Sequence, residues 1–285
     1  MGKRDAEMVS KLVSLQEAAS LVEDGQMIAL GGKSLLRTPS SFARELVRQG
    51  RRGLRLIKTV GAYDIDLLCA ARATSEVQSG CMDYENVFGM APSYRHGVES
   101  GAVRVVEHVC DSIIAGLRAS SYGLPSQPIN VLQGPDTPAL SDFRETEDPY
   151  TGKKVLMIPR IRPDWGVVHV QHADVEGNAR IDGGPFEDVL ISRASEGLII
   201  TAERIVETAF FKNKPERTNI PAFMTRAVVH APGGAAPASC YPTYDMDVDA
   251  IATFLESAKS PETLQGHLDE WRERDYSGAR EREAK

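Results

Sequence analysis

The sequence predicts an α/β fold: an open, largely parallel sheet with helices on both faces. Three observations point to it. Short β-branched or apolar runs alternate with stretches of helical periodicity, and the first such run ends in paired glycines. The chain, at 285 residues with 42% hydrophobic and 26% charged, is long enough to bury a substantial core as one large or two small α/β units.

Taken in order, Ser14 to Glu17 match the S-x-x-E capping box, and Leu15, Ala18, Ala19 and Val22 then recur at helical spacing, which predicts a helix over 14–24 stopped by Gly25. "MIALGG" (27–32) reads as a short buried strand. Thr38 and Pro39 are the expected cap of a second helix running through Gln49 and closed by Gly50. "LRLIKTV" (54–60) is the next strand, ending at Gly61, with "YDIDLLCAARA" as a helix after it. A surface helix is expected from near Pro92 to Glu99-Ser100-Gly101, where the glycine supplies a C-cap. "AVRVVEH" then reads as a strand and "DSIIAGLRASSYG" as a helix with Asp111 as N-cap. "GVVHVQ" (166–171) and "GLIITAE" (197–203) are β-branched strands on either side of a helical "FEDVLISRAS". The segment 123–154 is rich in Pro, Asp and Thr without periodicity, which reads as a functional loop or an interface arm, and the closing "REREAK" reads as a solvated tail.

Composition narrows the function. The formal charge is -7 and Lys/Arg are dispersed, which argues against nucleic acid or an anionic membrane as partner. No apolar run approaches the about 18 residues that a membrane span needs, the N-terminus lacks a signal-peptide apolar region, and Ala6 stands where a myristoylation signal carries Ser or Thr. Cys69, Cys81, Cys110 and Cys240 are scattered without CxxC spacing and read as reduced thiols, so the cytoplasm is the expected compartment.

Several motifs fail on inspection. Gly-Lys-Ser at 32–34 has the ending of a phosphate-binding P-loop, but that loop needs a glycine five positions before Gly32, where Met27 stands. "DMDVDAIATFLE" (245–256) fits a calcium loop except at the sixth position, where Ala250 replaces the turn-making glycine; Asp247 or Asp249 as a helix N-cap is the better reading. His169 and His172, three apart on a strand, point to opposite faces and do not share an ion. Paired glycines at the carboxyl end of a strand also let a backbone approach a ligand closely, which is where α/β sheets place their sites.

Six stretches in register carry a family resemblance from about residue 14 to residue 256: "LQEAASLVEDGQMIALGG", "RTPSSFARELVRQGRRGLRLI", "FGMAPSYRHGVESGAVRVVEH", "GLRASSYGLP", "EDPYTGKKVLMIPRIRPDWGVVHVQHADVEGNARIDG" and "APGGAAPASCYPTYDMD". Together they resemble the α-type subunit of the family I CoA-transferases, in the group around glutaconate CoA-transferase. The resemblance implies a NagB/RpiA/CoA-transferase-like fold, with an N-terminal extension at 1–13, one domain over 14–275 and a flexible tail over 276–285. It implies a second CoA-transferase chain of β type as partner, in an α2β2 assembly, whose Glu-Ser/Asn-Gly motif supplies the nucleophilic glutamate. An acyl-CoA thioester and a small carboxylic acid are the implied substrates. No metal or permanently bound cofactor is implied. This chain's own Glu99-Ser100-Gly101 falls in the stretch matching a surface helix of the α type.

The same resemblance points to Gly31, Gly32, Lys33, Ser34, Arg37, Gly61, Gln171, Gly233 and Gly234 as substrate contacts, with backbone amides of the glycine loop holding the oxyanion of each attacked carbonyl. The chain departs from the family at Lys33 and Ser34, which replace the aromatic residue and glycine of a "GGFG" pattern; Lys33 could meet a substrate carboxylate or a CoA phosphate, or be solvated. Relatives with this fold include hydrolases of steroid-derived rings and decarboxylases of branched glutaconyl-CoA esters. In the hydrolase type an acid beyond the surface helix serves as base. Glu107 is the nearer candidate here and Asp111 the alternative, while a strand-end acid and a helix cap are their structural counterparts. A free-standing acyl-CoA-binding module is the non-enzyme reading.

Overall fold

The computed structural model describes residues 10–130 and 140–278, so residues 1–9, the middle of the 123–154 segment and the "REREAK" tail lie outside the described residues. The chain enters at β1 (Leu12–Val13), two residues before the expected start of the domain, and pairs there with a strand more than 200 residues away. α1 (Leu15–Ser20) starts with the expected capping box: the Ser14 hydroxyl accepts from the Glu17 amide at 3.1 Å and the Glu17 carboxylate accepts from the Ser14 amide at 2.8 Å. The helix stops four residues short of the expected end, and Gly25, at φ +77°, turns the chain into β2 (Met27–Leu30).

α2 (Ser40–Arg48) and β3 (Leu54–Gly61) follow as expected, except that Thr38 does not cap the helix. Its hydroxyl donates to the Ser34 carbonyl at 2.9 Å and accepts from the buried Lys58 ammonium at 2.8 Å. α3 (Tyr63–Ala70) leads to β4 (Thr74–Met82), a strand that the sequence reading passed over because Glu76, Gln78 and Ser79 break its apolar run. α4 (Glu85–Phe88) and α5 (Pro92–Glu99) come next, and Gly101, at φ +75°, ends α5 where expected. β5 (Arg104–Glu107) precedes α6 (Cys110–Ser121), in which Asp111 is the second residue and not the cap; Val109 holds the cap position, its amide donating to the Ser112 hydroxyl at 3.0 Å.

The 123–154 segment is not a loop throughout. β6 (Ser126–Ile129), β7 (Arg144–Glu147) and β8 (Lys154–Pro159) form a small antiparallel sheet whose inward residues Ile129, Leu156 and Ile158 pack with Phe143 and with Ala115 of α6. β7 is exposed along its length, so its "RETE" carries no apolar alternation to read. β9 (Trp165–Ala173), β10 (Ala179–Arg180), α7 (Asp188–Ala194), β11 (Gly197–Ile205), α8 (Thr208–Asn213) and β12 (Ala227–His230) complete the sheet region. α9 (Val248–Ser257), α10 (Pro261–Glu270) and α11 (Arg272–Asp275) then close over one face. Of the two expected candidates, Asp247 caps α9, accepting from the Ala250 amide at 2.9 Å, and Asp249 lies in its first turn.

The strand order is β1-β12-β11-β9-β2-β3-β4-β5, each neighbouring pair parallel, with β10 turned back antiparallel on β9. Alternation along the central strands feeds two cores. Ile28, Leu30, Leu56, Val167, Ile199 and Val229 face α1, α2, α3 and the C-terminal helices, while Ala29, Ile57, Val168, Val170, Ile200 and Val228 face α6 and α7. The chain builds outward from β2 to β5, crosses back to β9 on the other side of β2, and builds outward again. The reversal at β2/β9 is the topological switch point, beside which ligands of open α/β sheets bind at the strand carboxyl ends.

The C-terminal region is packed against this frame. The Arg44 guanidinium, fully buried, donates to Asp275 at 2.8 and 2.5 Å and lies 4.3 Å from the Trp271 ring centre, and the Tyr276 hydroxyl donates to Glu45 at 2.6 Å.

Candidate functional site

At the carboxyl end of β2 the chain turns through Gly31-Gly32 into a tight loop that returns to Arg37. The four amides that open the turn are already bonded: Gly31 N–H to the Val167 carbonyl at 2.8 Å, Gly32 to the Asp188 carboxylate at 2.7 Å, Lys33 to the Leu36 carbonyl at 2.9 Å, and Ser34 to the Val60 carbonyl at 2.9 Å. The expectation that these amides hold an oxyanion is therefore not met within this chain. The glycines serve a closer neighbour: a Cβ on Gly31 would collide with the Asp188 carboxylate and stand 2.9 Å from Val168, and Gly32 holds φ +69° under the Leu36 and Arg37 backbone.

Arg37 is consumed in the same way. It is 1% exposed, pairs with Asp188 at 2.6 Å, and donates to the carbonyls of Gly184 at 2.7 Å and His169 at 3.1 Å. Asp188, 151 residues on in sequence, thus supplies the carboxylate that meets both the Gly32 amide and the Arg37 guanidinium. Beneath the other side of the loop a second buried pair, Lys58 and Asp64 at 2.7 Å, reaches the turn through Thr38.

Lys33 differs. It is half-buried, and among the described residues no hydrogen bond or ion pair reaches its ammonium, which stands 5.9 Å from the centre of the Phe186 ring. Glu187, next in sequence to Phe186, accepts from the Thr59 hydroxyl at 3.0 Å. Cys110, first residue of α6, completes this rim. Burial raises its thiol pKa, the Lys33 charge works against that rise, and the Glu187 charge adds to it. Ser34 beside Lys33 is 1% exposed and its hydroxyl has no partner among the described residues. Three non-glycine residues in the left-handed region converge here, Ser34 at φ 48°, Arg37 at 53° and Phe186 at 44°, a concentration of backbone strain that the surrounding packing sustains.

The sequence reading missed Thr59, Cys110, Phe186, Glu187 and Asp188. "GGPFED" (183–188), with its paired glycines and proline before a helix, was the available signal. The other expected contacts are engaged within the chain. Gly61 is packed so that a Cβ would lie 2.5 Å from the Met82 sulfur. The Gln171 amide donates to the carbonyls of Tyr241 and Asp182 and accepts from the Asp182 amide at 3.0 Å. The Gly233 amide donates to Glu203 at 2.8 Å, and Gly234 is closed by His169 and the Ala231 carbonyl.

Glu203 belongs to a buried cluster. His169 Nε2 meets its carboxylate at 2.7 Å, His169 Nδ1 meets the Thr201 hydroxyl at 2.9 Å, and the Tyr244 hydroxyl donates to Glu203 at 2.6 Å; Cys240 completes the group. Burial opposes charge on the imidazole, but Cys240 and the Glu203 carboxylate outweigh it and raise its pKa to about 9. His172, on the opposite face as expected, stacks on Phe210 at 5.1 Å between ring centres.

Glu107 lies exposed at the end of β5, three strands from β2 and so about 14 Å away across the sheet, with its carbonyl accepting from Ser141. Its charge adds to the burial that pushes the Tyr94 phenol up to about 12. Asp111 is exposed on the first turn of α6.

A family model described as Coenzyme A transferase matches residues 12–231. The chain is 34% identical over 270 residues to a protein of Archaeoglobus fulgidus, covering 94% of this chain and 60% of that one. It is 28% identical to a glutaconate CoA-transferase subunit of Acidaminococcus fermentans, covering 92% of this chain and 88% of the relative. It is 29% identical to the cholesterol ring-cleaving hydrolase IpdA subunit of Rhodococcus jostii, covering 93% and 91%. Among solved structures it superposes on glutaconate coenzyme A-transferase from Acidaminococcus fermentans with TM-score 0.88 at 27% identity, covering 94% of this chain and 91% of the other. It also superposes on the decarboxylase AibA/AibB with TM-score 0.81 at 28% identity, covering 92% and 100%. The chain belongs to the coenzyme A transferase family, and its α/β fold is that of glutaconate CoA-transferase.

Proposed function

We propose that this family member is the α-type chain of a heteromeric enzyme that moves CoA between an acyl-CoA and a carboxylic acid, working with a β-type partner chain. The observation that carries this reading is the incomplete chemistry of the switch-point rim. The rim offers a cation, an aromatic wall and a carboxylate, while the amides of Gly31 to Ser34 are all engaged within the chain. A nucleophile and free oxyanion donors are what the partner would add.

In that division of labour a glutamate of the partner chain attacks the acyl-CoA carbonyl. A C–O bond forms, the C–S bond breaks, and the products are a mixed anhydride and CoA thiolate. The thiolate then attacks the glutamyl carbonyl, releasing the acyl carboxylate and leaving glutamyl-CoA. The acceptor acid runs the two steps in reverse. The chain described here would position the acyl group and keep water from the anhydride, with Gly31, Gly32, Arg37, Gly61, Gln171, Gly233 and Gly234 shaping the wall behind Lys33 and Ser34.

The test is co-expression with the partner, addition of acyl-CoA, and mass spectrometry of both chains. A CoA adduct on a partner glutamate is the expected result; transfer that persists after every candidate partner carboxylate is changed to its amide would overturn the reading. Exposed Glu107 favours a second reading, a same-fold hydrolase or decarboxylase in which this chain supplies a proton acceptor. Glu107→Gln in the assembled complex separates the two: CoA transfer unaffected supports the first, and loss of turnover with retained acyl-CoA binding supports the second.

A further inference from the structure

Ser34 stands in a conformation that its own side chain does nothing to hold. Lys33 and Leu36 exchange amide–carbonyl bonds of 2.9 Å, closing a two-residue turn with Ser34 as its first corner, and φ there is 48°, in the left-handed region that favours glycine. The chain carries this serine where the family pattern has a glycine. The residue is 1% exposed, and its hydroxyl has no partner among the described residues. What holds the corner is therefore its backbone: the amide donates to the Val60 carbonyl at 2.9 Å, and the carbonyl accepts from the Thr38 hydroxyl at 2.9 Å.

The second of these bonds has an enforced direction. Lys58 on β3 is buried, and its ammonium pairs with Asp64, in the first turn of α3, at 2.7 Å and donates to Thr38 Oγ1 at 2.8 Å. An ammonium has donors and no acceptor, so the Thr38 oxygen must accept from Lys58 and its proton is left for the Ser34 carbonyl. The charge behind it also polarises the hydroxyl and strengthens it as a donor. Resting on the transferase reading, we propose that Thr38 is a positioning residue backed by the Lys58–Asp64 pair. It compensates for serine at a glycine position and keeps residues 33–36 in the one conformation that the assembled enzyme uses for turnover, without itself touching substrate.

The experiment uses the complex of this chain with its partner, in wild type, Thr38→Val, Thr38→Ser, Ser34→Gly and the double variant Ser34→Gly/Thr38→Val. Amide hydrogen exchange at Ser34 and Leu36 reads the loop. Butyryl-CoA affinity, and the rate at which butyryl-CoA forms the CoA adduct on the partner glutamate, read the site. Thr38→Val should speed exchange at both amides and slow adduct formation by about fivefold each, the value of one hydrogen bond, with affinity unchanged. Thr38→Ser keeps the hydroxyl and should behave as wild type. In the Ser34→Gly background the Thr38→Val effect should shrink to less than half, because glycine adopts the left-handed corner without support.

Unaltered exchange and rate in Thr38→Val overturn the proposal, as does a Thr38→Ser variant that fails to restore them. Equal losses in the two backgrounds would show that Thr38 does not hold the Ser34 corner, and faster exchange throughout the chain would reduce Thr38 to a general structural role. If Thr38→Val does not assemble, Lys58→Met/Asp64→Leu, which removes both charges and frees the Thr38 hydroxyl to turn, carries the same expectations. A wild-type complex that forms no adduct refutes the transferase reading, and exchange at Ser34 and Leu36 then decides the role of Thr38 by itself.

Discussion

Lys33 and Arg37 are two cations on one loop, four residues apart, and the protein treats them in opposite ways. Arg37 is buried, ion-paired with Asp188, and bonded to two carbonyls. Lys33 stands at the rim, with the face of Phe186 nearby and no ion pair to any described acid. The difference teaches that nearness to a glycine loop does not make a residue a ligand contact. What matters is whether another part of the chain has already supplied the counter-charge. Arg37 and Asp188 are scaffold, and Lys33 is left at the rim without an ion pair to any described acid.

The largest test of this contrast is Asp188→Asn. It keeps the shape but leaves the Arg37 charge buried without a partner, and should lower unfolding stability by about 3–5 kcal/mol in chemical denaturation. The double variant Arg37→Gln/Asp188→Asn should recover part of that loss. A single-variant loss below about 1 kcal/mol would mean that water reaches the pair and that it is not scaffold. Next in size is Gly31→Ala, whose methyl must displace the Asp188 carboxylate or Val168; a cost of about 1–3 kcal/mol is expected, and a neutral result would show that the turn yields.

A third effect depends on pH. The Arg37 side chain donates to the His169 carbonyl, so the His169–Glu203 pair belongs to the same scaffold. The imidazole's folded pKa, about 9, is above its ordinary value of 6.5. Its contribution is therefore fully present below 6.5 and is lost as pH rises through 9. Denaturation of wild type and His169→Gln between about pH 6.5 and 9.5 should show a decline in wild type that the variant lacks; parallel curves would place the charge elsewhere. The smallest stability effect is expected for Lys33→Met, within about 0.5 kcal/mol at neutral pH, because that side chain has no polar contact to lose among the described residues. A cost approaching that of Asp188→Asn would erase the contrast between the two cations.

Legibility in the sequence followed the range of the forces involved. The capping box at Ser14–Glu17, the cap at Asp247, the glycine end of α5 and the opposed faces of His169 and His172 all depend on residues within four of one another, and all were readable. β4 and β7 were not. Glu76, Gln78 and Ser79 interrupt one and the other is exposed throughout, so neither shows the apolar rhythm by which a strand is recognised. Thr38 looked like a cap because Pro39 follows it, but a lysine 20 residues away claims its hydroxyl. Asp111 looked like a cap because the apolar pattern begins just after it, but the cap of α6 is Val109, two residues earlier.

By itself, then, the sequence determined the succession of strands and helices, the family to which they belong, and the place of the glycine loop after the first buried strand. Its hydrophobic periods and local turn chemistry suffice for those. Only the tertiary structure decided how the loop's amides and cations are engaged. The carboxylate that takes the Gly32 amide and the Arg37 charge arrives from 151 to 156 residues away, and the parallel topology brings it there by placing α7 against the ends of β2 and β9. A buried hydrogen-bonding group must find its partner wherever the fold provides one. Which of two cations on the same loop is left without a counter-charge among the described residues is therefore settled by packing across the sheet, and a reading of the loop's own residues could not have told Lys33 from Arg37.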